Sequence, residues 1–198
     1  MKLNHKRTML VGLAFLSICA FWQFYDNEIP KILKNTFGMG ETLTGFIMAL
    51  DNILALFLLP FFGTLSDKVN TKIGKRMPFI LAGTALSCVL LIILAGLSSQ
   101  PAMLIPFIII LLLLLIAMGT YRSPAVSLMP ELTPAPLRSK ANAIINLMGT
   151  VGGVYTLLMI KFFVHTPTDG SLTNYMPMAL SIVAIMTLNL MMYHLNKK

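Results

Sequence analysis

Long apolar runs recur along this chain, and they constrain its fold more than any other feature of the sequence. Each run has about 20 residues, the length that a helix needs to cross about 30 Å of hydrocarbon. Charged residues make up 11% of the chain, whereas soluble domains usually carry about 25%. The alternating segments of about 10 residues that a transmembrane barrel needs are not visible. We therefore predict an all-α integral membrane protein.

Six membrane spans are predicted from the apolar runs and from the turn signals between them. Pro78 suits the first turn of a helix, where its missing N–H costs nothing, and residues 98–101, Ser-Ser-Gln-Pro, predict a tight turn. The first run follows a basic amino end, as in a secretory signal, but no A-x-A-like cleavage site comes after it. We interpret it as an uncleaved helix. The spans lie near residues 8–29, 42–62, 78–98, 102–124, 141–163 and 175–194.

The distribution of Lys and Arg predicts which side of the membrane each connection faces, because cytoplasmic connections collect these residues. Three of them fall on one side, namely Lys31, Lys34 and Lys161. Eleven fall on the other side, namely Lys2, Lys6, Arg7, Lys68, Lys72, Lys75, Arg76, Arg138, Lys140, Lys197 and Lys198. We therefore predict a multi-pass protein of the cell membrane with both termini in the cytoplasm. The net charge of +8 reflects this bias and does not indicate a nucleic-acid partner.

The connection between spans two and three, "FFGTLSDKVNTKIGKRMPFI" at residues 61–80, is a compact charged loop between two apolar runs. Gly63 lets two backbones approach closely at the end of span two. Asp67 can accept backbone N–H bonds at a helix start and pair with a nearby cation. Gly74 permits a sharp turn before two basic residues. Together these residues predict a latch that holds neighbouring helix ends on one side of the membrane.

Two motifs resemble those of a known transporter family. "GTLSDKVNTKIGKRMPF" resembles the loop between spans two and three of major facilitator superfamily transporters, G-x-x-x-D-[RK]-x-G-[RK]-[RK]. Four extra residues, Asn70 to Ile73, make it similar to the longer loop of the sucrose-transporter and glycoside-pentoside-hexuronide:cation symporter branch. "YRSPAVSLMPELTPAPLRSKANAI", at residues 121–144, is similar to the P-x-x-x-L-x-P-E-L-T segment after span four in that branch, and "FWQFYDNEIP" is a looser match.

The resemblance implies a fold of about twelve spans, made of two six-helix halves that each contain two inverted three-helix repeats. The chain resembles the amino-terminal half over residues 1–198, with repeat one at about 1–98 and repeat two at about 99–198. The carboxyl-terminal half would be absent, so the expected partner is a second six-helix half or another copy. The resemblance also implies a cytoplasmic gate, for which solvated loop charges are the alternative. The candidate gate residues are Gly63, Asp67, Gly74, Lys75, Arg76, Arg122, Glu131 and Arg138.

Asp51, in "FIMALDNILAL", is the strongest candidate for chemistry because it lies near the middle of span two. A charged group there costs about 2.5–3.5 kcal/mol, and intramembrane acids usually face a polar interior and mark ion pathways. Asp51 is therefore a candidate coupling site for a proton or cation, and a structural acid paired with a neighbouring helix is the alternative. Melibiose-type members of the resembled family carry paired acids later in this span. Ala55 and Leu59 occupy those places here, which favours protons over sodium.

Two further clusters are candidate substrate contacts. Toward the outer end of span one, an aromatic platform beside amide and carboxylate groups would suit the C–H faces and hydroxyls of a sugar, with an interfacial aromatic belt as the alternative. In span five, polar and small residues form one stripe, with a GxxxG-like helix contact as the alternative. The candidates are Trp22, Gln23, Tyr25 and Asp26 in span one, and Asn142 and Asn146, beside Gly149 and Gly153, in span five.

No enzyme class fits the sequence, since it contains no GxSG serine, metal cluster, P-loop or dinucleotide fingerprint. We predict no catalytic residue, metal or cofactor, and we interpret Cys19 and Cys88 as packed thiols. The predicted function is half of a secondary transporter, a sugar or glycoside:proton symporter that works by alternating access. Its expected partners are membrane lipid, a small-molecule sugar and a coupling proton or cation. The alternative is a truncated membrane protein that does not transport and only associates with other helices.

Overall fold

The computed structural model describes residues 5–71, 74–165 and 172–195, and no strand occurs within these ranges. The helices are α1 (His5–Asn35), α2 (Glu41–Lys68), α3 (Met77–Leu97), α4 (Leu104–Leu132), α5 (Arg138–Phe163) and α6 (Met176–Leu195). Two short 3-10 turns, Pro101–Met103 and Ala135–Leu137, lead into α4 and α5. The predicted all-α fold is confirmed.

Among the described residues, five helices are long and apolar enough to cross a membrane, namely α1 to α5. The sixth helix, α6, is apolar over the shorter stretch Met176–Leu188. Inside lipid, backbone N–H and C=O groups must be satisfied within the segment itself, and a continuous helix meets this requirement. Pro78 occupies the first turn of α3, as predicted.

Three helices continue past the ends that their apolar runs predict. Polar residues such as Lys and Glu are good helix formers, so the backbone ladder need not stop where the apolar run stops. The extension of α1 moves Trp22 and Asp26 from the predicted outer end of a span to the middle of a helix. The extension of α4 carries Glu131 into its last turn. α1 ends at Asn35 rather than at 29, α2 at Lys68 rather than at 62, and α4 at Leu132 rather than at 124.

α1 packs against four other helices of the bundle, namely α2, α4, α5 and α6. Many of its apolar side chains, among them Phe21 and Phe24, are almost fully buried. A buried polar link joins it to α4, because the Ser17 hydroxyl lies 2.6 Å from the Tyr121 hydroxyl. Tyr121 also donates to the Ala14 carbonyl at 3.2 Å. These bonds fix the rotation of α4 about its axis relative to α1.

Small residues bring α1 and α5 together along the α1–α5 seam, formed by Leu16 and Ala20 on α1 and by Gly149, Gly152 and Thr156 on α5. A Cβ atom on Gly152 would lie 2.9 Å from the carbonyl carbon of Leu16 and closer still to its oxygen. Glycine is required there because two backbones touch. The Thr156 hydroxyl donates to the Ala20 carbonyl at 2.9 Å, which adds a buried hydrogen bond to the contact.

The α2–α4 seam, formed by Leu58, Leu59 and Gly63 on α2 and by Gly119 and Ser123 on α4, is looser. The Ser123 hydroxyl donates to the Leu59 carbonyl at 2.7 Å. A Cβ atom on Gly119 would lie at ordinary contact distance, 3.4 Å, from the Leu58 side chain. One on Gly63 would lie 3.3 Å from the Ser123 hydroxyl oxygen. The contacts of this seam are made by side chains on at least one side, so the close backbone approach predicted at Gly63 is not found.

Candidate functional site

α1, α2 and α4 line an open cavity of about 370 Å³. It contains an aromatic ring, two carboxylates and a guanidinium, set among apolar side chains. A smaller chamber of about 20 Å³ adjoins it, and Trp22, Asp51 and Arg122 line both. The side chains that line the larger cavity are Phe15, Ile18, Cys19, Trp22, Asp26, Asp51, Arg122 and Val126.

The guanidinium of Arg122 lies over the ring of Trp22, 5.3 Å from its centroid. A cation at this distance is attracted by the negative face of the indole. Within the described part of the chain, Arg122 makes no hydrogen bond and no ion pair. Arg122 therefore holds its N–H donors available to a solute in the cavity.

Asp51 and Asp26 contribute the two carboxylates of the cavity. Asp51 accepts hydrogen bonds from the backbone N–H and the side-chain amide of Asn52, at 2.6 and 2.8 Å. Asp26 is exposed to the cavity and interacts electrostatically with Asp51. No hydrogen bond or ion pair among the described residues connects either acid to Arg122. The three charges share one space without neutralising each other at bonding distance.

The remaining substrate-contact candidates do not line this cavity. Tyr25 is 1% exposed, with its ring packed edge-on against Trp22 at 5.4 Å. Gln23 points toward α5, where its side-chain oxygen lies 3.5 Å from the place a Cβ on Gly153 would occupy. The two asparagines of α5 are exposed on its outer surface. The structure thus brings Trp22, Asp26 and Asp51 together and leaves Gln23, Tyr25, Asn142 and Asn146 elsewhere.

A second charged group, the charge latch, consists of Asp67, Arg76 and Glu131 and joins the ends of α2, α3 and α4. Arg76 donates from Nη2 to Asp67 and from Nε to Glu131, each at 2.7 Å. Its side chain is only 13% exposed, so the bonds form in partly desolvated surroundings. Gly74 precedes it with a φ of +105°, a value that suits glycine, and this confirms the predicted turn.

Asp67 differs from expectation in one respect, because it lies in the last turn of α2 and not at a helix start. It therefore caps no helix, and its described partner is Arg76. The cause is the six-residue extension of α2 beyond its apolar run, from the predicted 62 to Lys68. The other half of the expectation, a pairing of Asp67 with a nearby cation, is confirmed.

Three further gate candidates lie apart from the charge latch. Arg138 donates to the carbonyls of Thr133 and Pro130, at 3.3 and 3.0 Å, and so ties down the connection between α4 and α5. Lys75 is exposed. Arg122 belongs to the cavity, beside Trp22. Arg122 sits nine residues before Glu131 on a continuous helix, which separates it from the latch by more than two turns.

Three residues have structural roles that the sequence analysis does not predict. Ser123 bonds α4 to α2, Cys19 lines the cavity, and Gly152 allows the closest backbone contact. Gly152 carried a usable signal, since it follows Gly149 by three residues on one helical face. Ser123 and Cys19 carried none, because one hydroxyl or thiol in an apolar helix can face any neighbour.

The helical bundle agrees with comparisons to known proteins. The family model of the Major Facilitator Superfamily matches residues 11–198. The chain is 30% identical over 138 residues to Sucrose transport protein SUC3 of Arabidopsis thaliana, covering 60% of this chain and 23% of that protein. It is 27% identical over 195 residues to Probable nitrate transporter NarT of Staphylococcus epidermidis, covering 98% of this chain and 46% of that protein.

The chain therefore spans less than half the length of either of these relatives. The match to the family model, by contrast, extends over nearly all of its own length. Several helices of membrane-spanning length accompany that match. This chain is a multi-pass membrane protein that belongs to the Major Facilitator Superfamily.

Proposed function

We propose that this chain supplies half of a secondary active transporter that moves a neutral, hydroxyl-rich solute, a sugar or glycoside, together with a proton. The observation that carries the proposal is the cavity, in which the Trp22 ring, the available donors of Arg122 and two carboxylates meet. A sugar offers C–H faces to an aromatic ring and hydroxyls to charged donors and acceptors. A site between two halves near the membrane midplane suits alternating access.

The charges in the cavity favour a neutral solute over an anion. Asp26 and Asp51 outnumber Arg122, so the ionised cavity repels an anion. Arg122 by itself supports a second candidate, transport of a small anion, and one relative carries nitrate in its name while the other carries sucrose. Uptake of labelled sucrose and labelled nitrate, each challenged with the other unlabelled compound, separates the two candidates. Saturable nitrate uptake that sucrose does not inhibit would favour the anion.

A transporting unit needs a second six-helix body, either a separate half or another copy. Large apolar side chains of α2 and α5 face outward, among them Leu56, Phe57 and Leu147. Asn52 and Asn146 are exposed on the same two helices, and lipid accommodates such polar groups poorly. Protein contact on these surfaces would cover both kinds of group. If the chain transports nothing with any partner, the alternative of a purely associating membrane protein gains support.

In the proposed cycle, ion pairs of the charge latch hold one side of the cavity closed, and they break and re-form once per cycle. The latch would lie on the cytoplasmic side together with both termini, because the basic residues gather there. A reporter enzyme that is active only outside the cytoplasm should work when fused after Gln100 and fail when fused after Lys198. The reverse pattern would invert the proposed topology.

Asp51 is the proposed coupling carboxyl. Its surroundings of apolar helices disfavour an isolated charge, so proton loading from one side and release to the other can be linked to solute binding. Arg122 and Asp26 share the cavity with Asp51, and Asp26 interacts electrostatically with it. Solute and proton would therefore compete or cooperate through one small set of charges.

The experiment that tests the proposal is Asp51→Asn, assayed in cells that express this chain with its second half. Asparagine keeps the size and hydrogen bonding of aspartate but cannot titrate. We expect loss of uphill, pH-driven accumulation with retention of sugar exchange at equilibrium. Glu41→Gln, which neutralises an exposed carboxyl outside the cavity, is the matched control and should leave both readings unchanged. Full accumulation by Asp51→Asn would exclude Asp51 and leave Asp26 as the carboxylate to test.

A further inference from the structure

The hydrogen bond between Ser123 and Leu59 lies beside the cavity, and the charge latch lies further along the same two helices. Leu59 lines the smaller chamber, and Ser123 directly follows Arg122. Along α2, Asp67 comes eight residues after Leu59, and along α4, Glu131 comes eight residues after Ser123. At 1.5 Å per residue, both latch carboxylates therefore lie about 12 Å beyond the bonded pair.

A proline follows each member of this pair. Pro60 comes after Leu59 within α2, and Pro124 comes after Ser123 within α4. A proline inside a helix removes one backbone hydrogen bond and weakens the helix at that turn. Each helix therefore has a weakened turn at the level where the Ser123 hydroxyl joins them, and α4 has another at Pro130. The Thr64 hydroxyl donates to the Pro60 carbonyl at 3.0 Å, a bond within α2 that does not replace the one lost at the proline.

We propose that Ser123 is a positioning residue of the transport cycle. Its hydrogen bond to the Leu59 carbonyl, the pin, holds the proline turns of α2 and α4 together, so that the charge latch and the cavity move together. The segments 61–68 and 125–132 then swing about this point as a single body, since Arg76 joins their far ends. Opening of the latch shifts Arg122, the neighbour of Ser123, relative to Trp22. The inference rests on the proposed transport function, although its test does not.

Gly63 supports this role because it leaves room for the bond. A Cβ atom at Gly63 would stand 3.3 Å from the Ser123 hydroxyl oxygen, a distance at which one of the two must give way. Gly63→Ala therefore disturbs the pin from α2 without changing Ser123 itself. It also adds helix propensity, so a general loss of folding is not its expected result.

Cys19 is a natural reporter of the cavity. Its thiol is free, half-buried and on the cavity wall, whereas the free thiol of Cys88 is buried in α3. Treatment of the purified chain with N-ethylmaleimide, followed by peptide mass spectrometry, measures the alkylation rates of Cys19 and Cys88 separately. The Cys19 rate reports the cavity, and the Cys88 rate reports unfolding. Neither reading needs a sugar, a proton gradient or a second half.

The test is a double-mutant cycle with Glu131→Gln, which weakens the latch, and Ser123→Ala, which removes the pin. Glu131→Gln should change the Cys19 rate in the otherwise unaltered chain by about fivefold, the factor that corresponds to about 1 kcal/mol for one hydrogen bond. In a Ser123→Ala background the same change should have little effect. Ser127→Ala is the matched control, since the Ser127 hydroxyl donates within α4 to the Ser123 carbonyl.

Independent effects of Glu131→Gln and Ser123→Ala on the Cys19 rate would overturn the proposal. If Ser123→Ala unfolds the chain, the Cys88 rate rises with it, and Gly63→Ala then replaces it in the cycle. If Glu131→Gln changes the Cys19 alkylation rate as much in a Gly63→Ala background as in the unaltered chain, the pin is likewise rejected. Because these rates are measured without solute, their failure leaves the sugar and proton assignments untouched, and failure of Asp51→Asn leaves the pin untouched.

Discussion

The α1–α5 seam and the α2–α4 seam, which would hold corresponding places if the chain contains the two predicted repeats, consist of different contacts. Under the predicted division into two three-helix repeats, α1 corresponds to α4 and α5 to α2. In the first seam, Gly152 lets two backbones touch and Thr156 adds a buried hydrogen bond. In the second, side chains meet around one hydroxyl, with a proline in each helix.

Because their contacts differ, we expect the two seams to differ in stiffness. Touching backbones can separate only by losing many contacts at once, so the α1–α5 seam is rigid. One hydrogen bond between two weakened turns allows a pivot, and the charge latch can then hold or release the far ends. The cavity is lined by α1 from the first seam and by α2 and α4 from the second. Under our proposal α1 is its fixed wall, and α2 and α4 are its adjustable walls.

Gly152→Ala is expected to have the largest effect, because its methyl group would have to displace the Leu16 carbonyl. Overpacking of a close backbone contact should lower the free energy of unfolding by about 3 kcal/mol. The measurement is thermal unfolding of the purified chain in detergent. Gly45→Ala is the control, since nothing lies within 4 Å of a Cβ at that position in α2. Equal midpoints for the two variants would show that the α1–α5 seam can open without cost.

Arg76→Ala should have an intermediate effect. It removes both ion pairs of the charge latch and leaves two carboxylates beside each other. The carboxylates are about half exposed, so solvent screening limits the expected loss of stability to about 1–2 kcal/mol. Lys75→Ala removes a neighbouring exposed cation as the control. A thermal midpoint as low for Lys75→Ala as for Arg76→Ala would mean that charge, and not the latch geometry, matters.

Thr156→Val should have the smallest effect on stability and sharpens the contrast with Ser123. It removes one buried hydrogen bond to Ala20, which stabilises the fold by about 1 kcal/mol. We expect a slightly lower thermal midpoint and no change in the coupling between Glu131 and the Cys19 alkylation rate. Thr150→Val is the control, because the Thr150 hydroxyl bonds only within α5, to the Asn146 carbonyl. If Thr156→Val abolished the coupling between Glu131 and the Cys19 alkylation rate, the α1–α5 seam would take part in the motion as well.

The sequence predicted the helices well and their ends less well. Apolar runs of membrane-crossing length leave a helix as the structure that satisfies its own backbone, so the number and order of helices followed from them. The ends of the helices did not follow from the apolar runs, since α2 and α4 continue as helices through polar residues that favour helix formation. The displaced ends placed Trp22 in mid-helix and removed Asp67 from its expected cap.

The pairing of Asp67 with a nearby cation could be predicted because both partners flank one short loop with a glycine that turns it. The contribution of Glu131 was expected only from family resemblance, since it comes from α4. The cavity was predicted in part: Trp22, Asp26 and Asp51 line it, whereas Arg122 had been placed with the gate candidates.

The sequence by itself determined that this protein forms membrane-length helices in a fixed order and that a charged loop joins two of them. Only the tertiary structure decided which mid-helix residues share a cavity. The physical reason is that these helices are apolar on nearly all sides, so hydrophobic periodicity does not fix their rotation. Rotation is set instead by contacts between helices, such as the backbone approach at Gly152 and the bond from Ser123 to Leu59.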